Sequence, residues 1–586
     1  MNSPHYSLTL TGDLLPSREL VGGKAWSLVR MSSLGLPVPP AFVMTTDAFR
    51  AYQRDGGLSQ AVLEELHDRM VALECATGRS FGAAERPLLV SVRSGSSISM
   101  PGMMDTVLNL GMHAAVEDAL GRESGDPRFA KDTHRRFLEL YSDIVLKTPT
   151  SLPKDGTVVE WRQTLAAAGA EVPEDPHEQL HEAVAAVFES WNSRRARRYR
   201  EHHGIDHDLG TAVTIQAMVF GNLDDESGTG VLFSRNPLTG ERRIFGEYLR
   251  RAQGEDIVSG QSTPEPLDVL AAQAPALYQQ LADATETLEV AAGEVQDIEF
   301  TVQEGRLYLL QSRAAKLAPA AAIQTAIDFV AEGVIDEVAG LRRVRPDDVR
   351  SVLAPRLSLD SSEVAIATGE SACPGVGIGV VVTDPDEAER RGALGEQVIL
   401  ARDTTSPNDL HGMLASVAII TEEGGSTSHA AVVSRGLGLP CVVGCGAGSV
   451  TGLEGQTVTV DGGSGRVYAG SLPIEVPDES SLQELSTLTD WATRHSPIDV
   501  LANGEGLSSV LDLNFVEGGA DVATVVSVLL EHGAGRAVTG GAIATPEAVK
   551  AAIDVGCRAI IARPALPVLL TAALIHVRRS PRKENA

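Results

Sequence analysis

A chain of 586 residues with a formal net charge of −29 is long enough for several domains, each burying its own core. The acidic balance argues against nucleic acid and anionic membrane as general partners, while leaving room for a local basic pocket. With 43% hydrophobic and 22% charged residues, the composition is that of a soluble globular protein.

The opening MNSPHYSLTLTGD lacks the basic-then-apolar pattern of a signal peptide. Val21-Gly22-Gly23-Lys24 precedes an amphipathic run over 25–34 that ends at Gly35. This predicts a glycine turn entering a helix, with Lys24 near phosphates; for so short a pattern a solvated lysine is the default. Residues 88–95 read as a strand running into a polar loop over 96–106, whose Ser, Gly and exposed amides suit polyphosphate oxygens. Arg93 offers a planar fork for phosphate, although an ordinary surface loop with one arginine fits the same residues. From about 112 to 205 the pattern is helical, notably 129–146 and 177–200. The closing Arg194, Arg195, Arg197, Arg198 and Arg200 are expected to form a solvated face balancing the helix dipole. Residues 213–220 read as a buried strand bounded by Gly221-Asn222.

Over 297–302 the alternation has period two. Asp297, Glu299 and Thr301 share one face, and Ile298, Phe300 and Val302 pack the other. A turn at Gln303-Glu304-Gly305 returns the chain, and Gln311 and Arg313 then share a face. Two acids, an amide and an arginine gathered over one sheet could hold Mg²⁺ and neutralise a transferring phosphate; an exposed polar sheet face is the alternative.

Residues 320–333 and 346–353 read as helices, and 357–371 as a hinge or linker. Pro374 opens a compact β-rich unit ending near Gly470, with short buried strands over 398–402 and 417–421 and a helix cap at 404–409. Within it lies Gly424-Gly425-Ser426-Thr427-Ser428-His429. Gly424 and Gly425 can take φ > 0 and allow close approach. Thr427 or Ser428 can cap the helix that follows, and Gly436 can close it. His429 then sits in the first turn, where the dipole favours an anion and disfavours imidazolium, keeping the ring neutral and nucleophilic near pH 7. A buried histidine ending a strand-to-helix turn fits the local pattern equally well.

In the last stretch, 476–586, Thr545-Pro546-Glu547 starts a helix that runs to Gly556, followed by a strand over 557–562. That is one β/α unit, or two with 500–522. A complete (β/α)₈ barrel needs roughly 250 residues. The apolar run over 559–577 is broken by Arg563, Pro564 and Pro567, so no bilayer span is expected. Cys75, Cys373, Cys441, Cys445 and Cys557 are scattered, which fits a reducing cytoplasm without structural disulfides. A zinc site at Cys441 and Cys445 is not expected.

The segment GGSTSHAAVVSRGLGLPCVVGC at 424–445 resembles the phosphohistidine segment of the pyruvate, phosphate dikinase family, with Ser426 where that family usually has Met. SVRSGSSISMPGMMDTVLNLG at 91–111, DIEFTVQEGRLYLLQSR at 297–313, and residues 35–46, 228–237 and 252–256 resemble its ATP-grasp domain. The 91–111 loop differs from that of the water-using phosphoenolpyruvate synthases, which favours the phosphate-using branch.

The resemblance implies a multidomain α+β and α/β fold. Residues 1–345 would form an ATP-grasp nucleotide-binding domain with a helical insertion at about 112–205. A linker over 346–371 would lead to a swivelling β/α phosphohistidine domain over 372–472, then a truncated or vestigial barrel-like segment over 476–586. His429, Arg313 and Arg93 would be catalytic. ATP would meet Lys24, Arg93, Asp297, Glu299, Gln311 and Arg313, with Glu299 and Gln311 on Mg²⁺. Gln216, Met218 and Val219 would lie at the adenine hinge, and Glu255 at ribose or metal. Gly424, Gly425, Thr427 and Ser428 would support the phosphohistidine; Arg402 would either join them or form a surface salt bridge.

By the same resemblance, Mg-ATP and phosphate would phosphorylate His429, giving AMP and pyrophosphate. The phosphoryl group would pass to pyruvate, forming phosphoenolpyruvate, through a site supplied outside this chain. No match is found to the family's C-terminal metal-binding carboxylates or catalytic cysteine, and Cys557 lies at the wrong place for that role. Two other functions fit: a histidine-carrier kinase for another small-molecule or protein acceptor, and a nucleotide-binding regulatory pseudoenzyme. The expected partners are ATP, phosphate and pyruvate or phosphoenolpyruvate, together with a partner chain or a second copy, and neither nucleic acid nor membrane.

Overall fold

The computed structural model describes residues 5–98, 100, 102–258, 264–353, 356–357, 364–425, 428–437, 439–475, 477, 479, 482–507, 509–517 and 521–579. Near the N-terminus the helix Arg18–Ser33 is capped by the Ser17 side chain and broken at Gly22, which has φ 76° and ψ 165°. That conformation is open essentially to glycine alone. It re-aims the chain so that Lys24 enters the regular part of the helix.

Two five-stranded antiparallel sheets follow from the alternating segments. The first runs Ser7–Thr9, Ala41–Met44, Ala212–Ala217, Val90–Gly95 and Thr106–Leu110 in spatial order. The second runs Glu265–Pro266, Phe245–Arg250, Gly228–Phe233, Gln296–Gln303 and Arg306–Ala314. In the last hairpin, Ile298, Phe300 and Val302 enter a core with Leu307 and Leu309, as the period-two pattern requires. Asp297 faces Arg313 and Glu299 faces Gln311 across the hairpin, and the register slips immediately after Glu299, so that Phe300 faces Leu309. The irregularity leaves the polar face intact and twists the strand beside it.

The helical stretch contains Pro127–Ile144, then Pro176–Ser190 and Arg194–His203. The single helix expected over 177–200 is therefore two, each with its own cap, from Asp175 and Ser193. The arginine cluster is also not a uniformly solvated face. Arg200 is buried, lies 4.0 Å from the Trp191 ring centroid and donates to the Trp191 carbonyl, while Arg195 pairs with Asp105.

Helices Pro319–Ala331, Glu337–Arg343 and Pro346–Val352 pack with Gln483–His495 and Leu566–Arg579 around Leu341, Leu488, Trp491 and Leu570. The boundary expected at 345 runs through this bundle. Arg235, fully buried at the end of the second sheet, ties that sheet to the bundle through Glu332 and also pairs with Glu289 of the helix Pro275–Ala292. Removing one carboxylate would leave a buried charge short of a partner.

In chain order, the segment between the two halves of the bundle forms an eight-stranded mixed sheet. Its centre is the parallel set Val376–Val382, Val398–Arg402, Ala418–Thr421 and Cys441–Val443. The C-terminal stretch holds more than the one or two β/α units expected. Asp499–Leu501, Ala559–Ile561, Ala537–Thr539 and Val510–Asp512 form a four-stranded parallel sheet in that order. Val500, Leu511, Val538 and Ile560 point from it to one core. Three-residue strands give little periodic signal, which is why the number of units was not legible. Among the described residues, no helix is long and apolar enough to cross a membrane.

Candidate active site

Two cavities meet where the antiparallel sheets face each other; both are lined by Arg93 and Glu299. The first, about 290 Å³, is walled by Gln216, Met218, Val219, Val231, Ile257 and Leu310, among others, and is predominantly apolar. The second, about 630 Å³, carries Lys24, Arg93, Glu299, Gln311 and Arg313, and also His429 with Thr405 from the mixed sheet's unit. One space thus joins the hairpin residues and the glycine–lysine turn to the histidine, although some four hundred positions separate Lys24 from His429 in the chain.

The polar face of the hairpin is a network of opposite charges. Arg93 Nη2 donates to Glu299 Oε2 at 3.0 Å, and Arg313 Nε donates to Asp297 Oδ2 at 2.8 Å. Burial alone would raise the Glu299 carboxyl, but Arg93, Arg313 and Lys24 hold it below the usual carboxylate range. Asp297, and after it Glu299, push Arg313 up. Lys24 is lowered to about 7, first by burial and then by the repulsion of Arg93 and Arg313. Gln311 is buried and its Oε1 has no hydrogen-bond partner among the described residues. That orphaned acceptor lies in register with the ionised Glu299. Two hard oxygen donors set among cations that favour phosphate suit a Mg²⁺ shared with a polyphosphate.

His429 is the first residue of the helix His429–Leu437. Its Nδ1 lies 3.2 Å from Thr405 Oγ1, while Nε2 is buried with no partner among the described residues. Burial lowers the imidazole pKa, with Asp409 opposing the shift. The ring is therefore neutral at pH 7, and Nε2 can act as a nucleophile once Nδ1–H is directed at Thr405.

Gly424 takes φ 102°. Gly425 serves close approach instead: a Cβ there would lie 2.3 Å from Glu247 Oε1 on the second sheet. Two details of the expected helix need correction. Ser428 precedes it, but among the described residues its hydroxyl has no partner and so does not cap it, and Gly436 lies inside the helix rather than closing it. Thr427 lies outside the described residues.

Other expected residues fall less centrally. Arg402 donates to the Thr383 carbonyl at 3.0 Å and lies 3.5 Å from Asp409, away from the cavity wall. Gln216 lines the apolar cavity but donates its side-chain amide to the Pro39 carbonyl. The backbone N–H groups of Ala217, Met218 and Phe220 go to Pro40, Leu89 and Gln303. Among the described residues, Val219 alone of 217–220 therefore keeps a free N–H for a base edge. Glu255 lines the same cavity, pairs with Arg136 at 3.2 Å, and is raised chiefly by burial. Thr405 and Glu247 were not legible as site residues. Each belongs to an ordinary cap or strand pattern, and only the tertiary approach brings it to the histidine loop.

A family model described as pyruvate phosphate dikinase, AMP/ATP-binding domain, matches residues 18–77 and 62–277, and one described as PEP-utilising enzyme, mobile domain, matches 394–465. Pyruvate, phosphate dikinase 2 of Oryza sativa subsp. japonica is 41% identical over 526 residues, covering 83% of this chain and 59% of that protein. Pyruvate, phosphate dikinase of Clostridium symbiosum is 40% identical over 545 residues, covering 86% and 62%. That of Rhizobium meliloti (strain 1021) is 39% identical over 540 residues, covering 83% and 60%. The chain thus spans about three fifths of the length of the curated relatives it matches.

Proposed function

The chain belongs to the pyruvate, phosphate dikinase family, and from that premise we propose that it is an ATP-dependent histidine-carrier phosphotransferase. The observation that carries this reading is His429 Nε2, unpartnered among the described residues, in one cavity with Lys24, Arg93 and Arg313. The two antiparallel sheets act as an ATP-grasp unit. Adenine lies in the apolar cavity against Met218 and the free Val219 N–H, and the polyphosphate extends towards the hairpin. Glu299 and Gln311 hold Mg²⁺, which screens polyphosphate charge when bound.

Nε2 attacks the β-phosphorus of ATP, its lone pair forming the N–P bond while the bond to the AMP oxygen breaks. Inorganic phosphate then takes the terminal phosphoryl group, leaving pyrophosphate and phospho-His429. Arg93 and Arg313 stabilise the charge on the transferring group. Thr405 holds Nδ1, and burial in the docked pose excludes water. The mixed-sheet unit then swivels away to deliver the phosphoryl group to pyruvate, the acceptor that the relatives' names print.

Mg-ATP labelled at the β-phosphate tests this. Acid-labile label is expected on the protein together with AMP, and pyrophosphate is expected only when phosphate is present. Added pyruvate should discharge the label as phosphoenolpyruvate. A protein that never takes label is no carrier, and label that pyruvate leaves untouched points to another acceptor.

Lys24 supplies a further expected result. Its pKa near 7 means that it is charged below that pH and neutral above it, whereas polyphosphate selects the charged form. Nucleotide binding above pH 7 must therefore draw a proton, and affinity falls as pH rises. From pH 7 to 8.5 the loss should be about tenfold, with uptake of about one proton by calorimetry in two buffers. Lys24→Arg, which stays charged, should flatten the profile; an unchanged slope would exclude Lys24 from the polyphosphate site.

A further inference from the structure

The mixed-sheet unit carries a group of metal-ligating side chains that the phosphoryl chemistry does not use. Among the described residues, one set of histidine and carboxylate side chains brings three ligand atoms within 4.8 Å of one another: Asp386, Glu389 and His411. The two acids lie three residues apart on the helix Pro385–Ala393 and so share one of its faces. The histidine comes from the short helix Leu410–Leu414, which packs against the first.

The packing sets where the imidazole lies. A Cβ on Gly412, next to His411, would meet the Pro385 Cα at 2.6 Å, and one on Gly392 would meet the Ala415 carbonyl oxygen at 2.7 Å. The two helices therefore touch backbone to backbone, and the crossing holds His411 against the first turn of its neighbour. Its Nε2 lies 2.9 Å from Asp386 Oδ1. That nitrogen is shielded from solvent and, among the described residues, makes no hydrogen bond, so the close approach is not aligned as one. Two ligands of one tetrahedral Zn²⁺ stand about 3–3.5 Å apart. A ring nitrogen and a carboxylate oxygen that meet near that distance without sharing a proton are placed as donors to a common third atom. The Asp386 and Glu389 carboxylates are exposed and can turn to close the rest of the gap. The arginines of the same helix are drawn elsewhere, Arg390 to Glu387 and Arg391 to Glu396, which leaves the potential at the group negative.

We propose that Asp386, Glu389 and His411 bind a borderline divalent transition ion of the Zn²⁺ class at this helix crossing. One imidazole nitrogen and two carboxylate oxygens, with water in the fourth position, form a donor set that Zn²⁺ takes readily, whereas Mg²⁺ prefers oxygen alone. None of the three residues lines the cavity that holds Lys24, Glu299 and His429, so the ion is distinct from the magnesium assigned to the hairpin. The crossing is nonetheless close in the chain to the support of His429. Thr405 is followed by the Ser406–Asp409 capping box, which runs directly into the helix of His411. An ion held by both helices pins that turn to Pro385–Ala393 and clamps the carrier unit.

The test uses the full chain, stripped with EDTA and titrated with Zn²⁺ alone, then with Co²⁺ as a coloured substitute. Zinc should bind with a Kd on the order of micromolar, weaker than a closed four-ligand site. His411→Ala should weaken it at least about a hundredfold, and Asp386→Asn and Glu389→Gln at least about tenfold each. The two carboxylate variants change exposed side chains and should leave the metal-free melting temperature within about two degrees of wild type. Zinc should raise the melting temperature of wild type increasingly with its concentration, and that rise should be lost in His411→Ala. Cys75→Ser, which removes the exposed thiol, should leave the isotherm unchanged, and about a hundredfold excess of Mg²⁺ should leave the zinc in place.

Binding that survives in all three ligand variants, that vanishes with Cys75→Ser, or that Mg²⁺ displaces would overturn the proposal, as would no binding below about a millimolar. None of these measurements reads phosphoryl transfer, so protein that takes no label from ATP would sink the carrier reading and leave the metal site untouched.

Discussion

Replacing His429 with asparagine should abolish acid-labile label from β-labelled Mg-ATP, while ATP affinity changes by less than about twofold. Asparagine keeps polarity and approximate size but has no ring nitrogen to attack phosphorus, so the loss lies in the transition state and not in nucleotide binding. The adjacent Thr405 gives a graded companion. Its hydroxyl, 3.2 Å from Nδ1, can accept Nδ1–H, and in that tautomer Nε2 keeps its lone pair. Thr405→Val should slow labelling about 10–100-fold, the equivalent of one lost hydrogen bond to an incipient cation, with KM for ATP unchanged. A variant that merely loosened the fold would move both. The pH profile checks the same group: burial lowers the His429 pKa, so its acid limb should fall below 6.5, the ordinary histidine value. Label retained on His429→Asn would mean that the phosphoryl group travels on another side chain.

The parts of this site that could be read from the chain are those written in local periodicity. The alternation from Asp297 to Val302 placed Asp297 and Glu299 on one face, and register then brings Arg313 and Gln311 opposite them. The glycines before Lys24 and before His429 marked tight backbone: the φ of 76° and ψ of 165° at Gly22 suit a residue without Cβ, and Gly425 lies against the Glu247 carboxylate. What could not be read depends on distant segments meeting. Thr405 forms part of a local turn followed by the Ser406–Asp409 capping box, and nothing local says that its hydroxyl meets an imidazole. Arg200 looks like a solvated helix-end charge until Trp191 folds under it. Arg402 sits at a strand end, where one guanidinium N–H goes to the Thr383 carbonyl and Asp409 lies 3.5 Å away, contacts that no local pattern announces. The C-terminal strands are three residues each, too short to show a period, so their parallel sheet emerges only from packing against Val525, Leu529 and Val549.

Gly22→Ala should cost roughly 3–5 kcal/mol and weaken ATP at least about a hundredfold. Two penalties combine. At φ 76° and ψ 165° an L side chain occupies a region that costs of order 1–3 kcal/mol. The added Cβ would also lie 2.2 Å from the Gly95 carbonyl oxygen and 2.6 Å from its carbon. These are backbone atoms at the end of the strand that carries Arg93, so no rotamer change relieves the contact, and such overpacking adds about 1–3 kcal/mol. The strand and the helix must part. The Gly23 N–H loses its bond to the Ser96 carbonyl, now 2.8 Å, and Lys24 moves away from Arg93 and Glu299. Gly35→Ala separates conformation from contact: Gly35 has φ +74° but no atom within 4 Å of an added Cβ. It should therefore cost only about 1 kcal/mol and leave ATP binding intact. Thermal unfolding and nucleotide titration of the two variants decide the matter. Equal melting and equal affinity would mean that the close approach of Gly22 to Gly95 does not position the lysine.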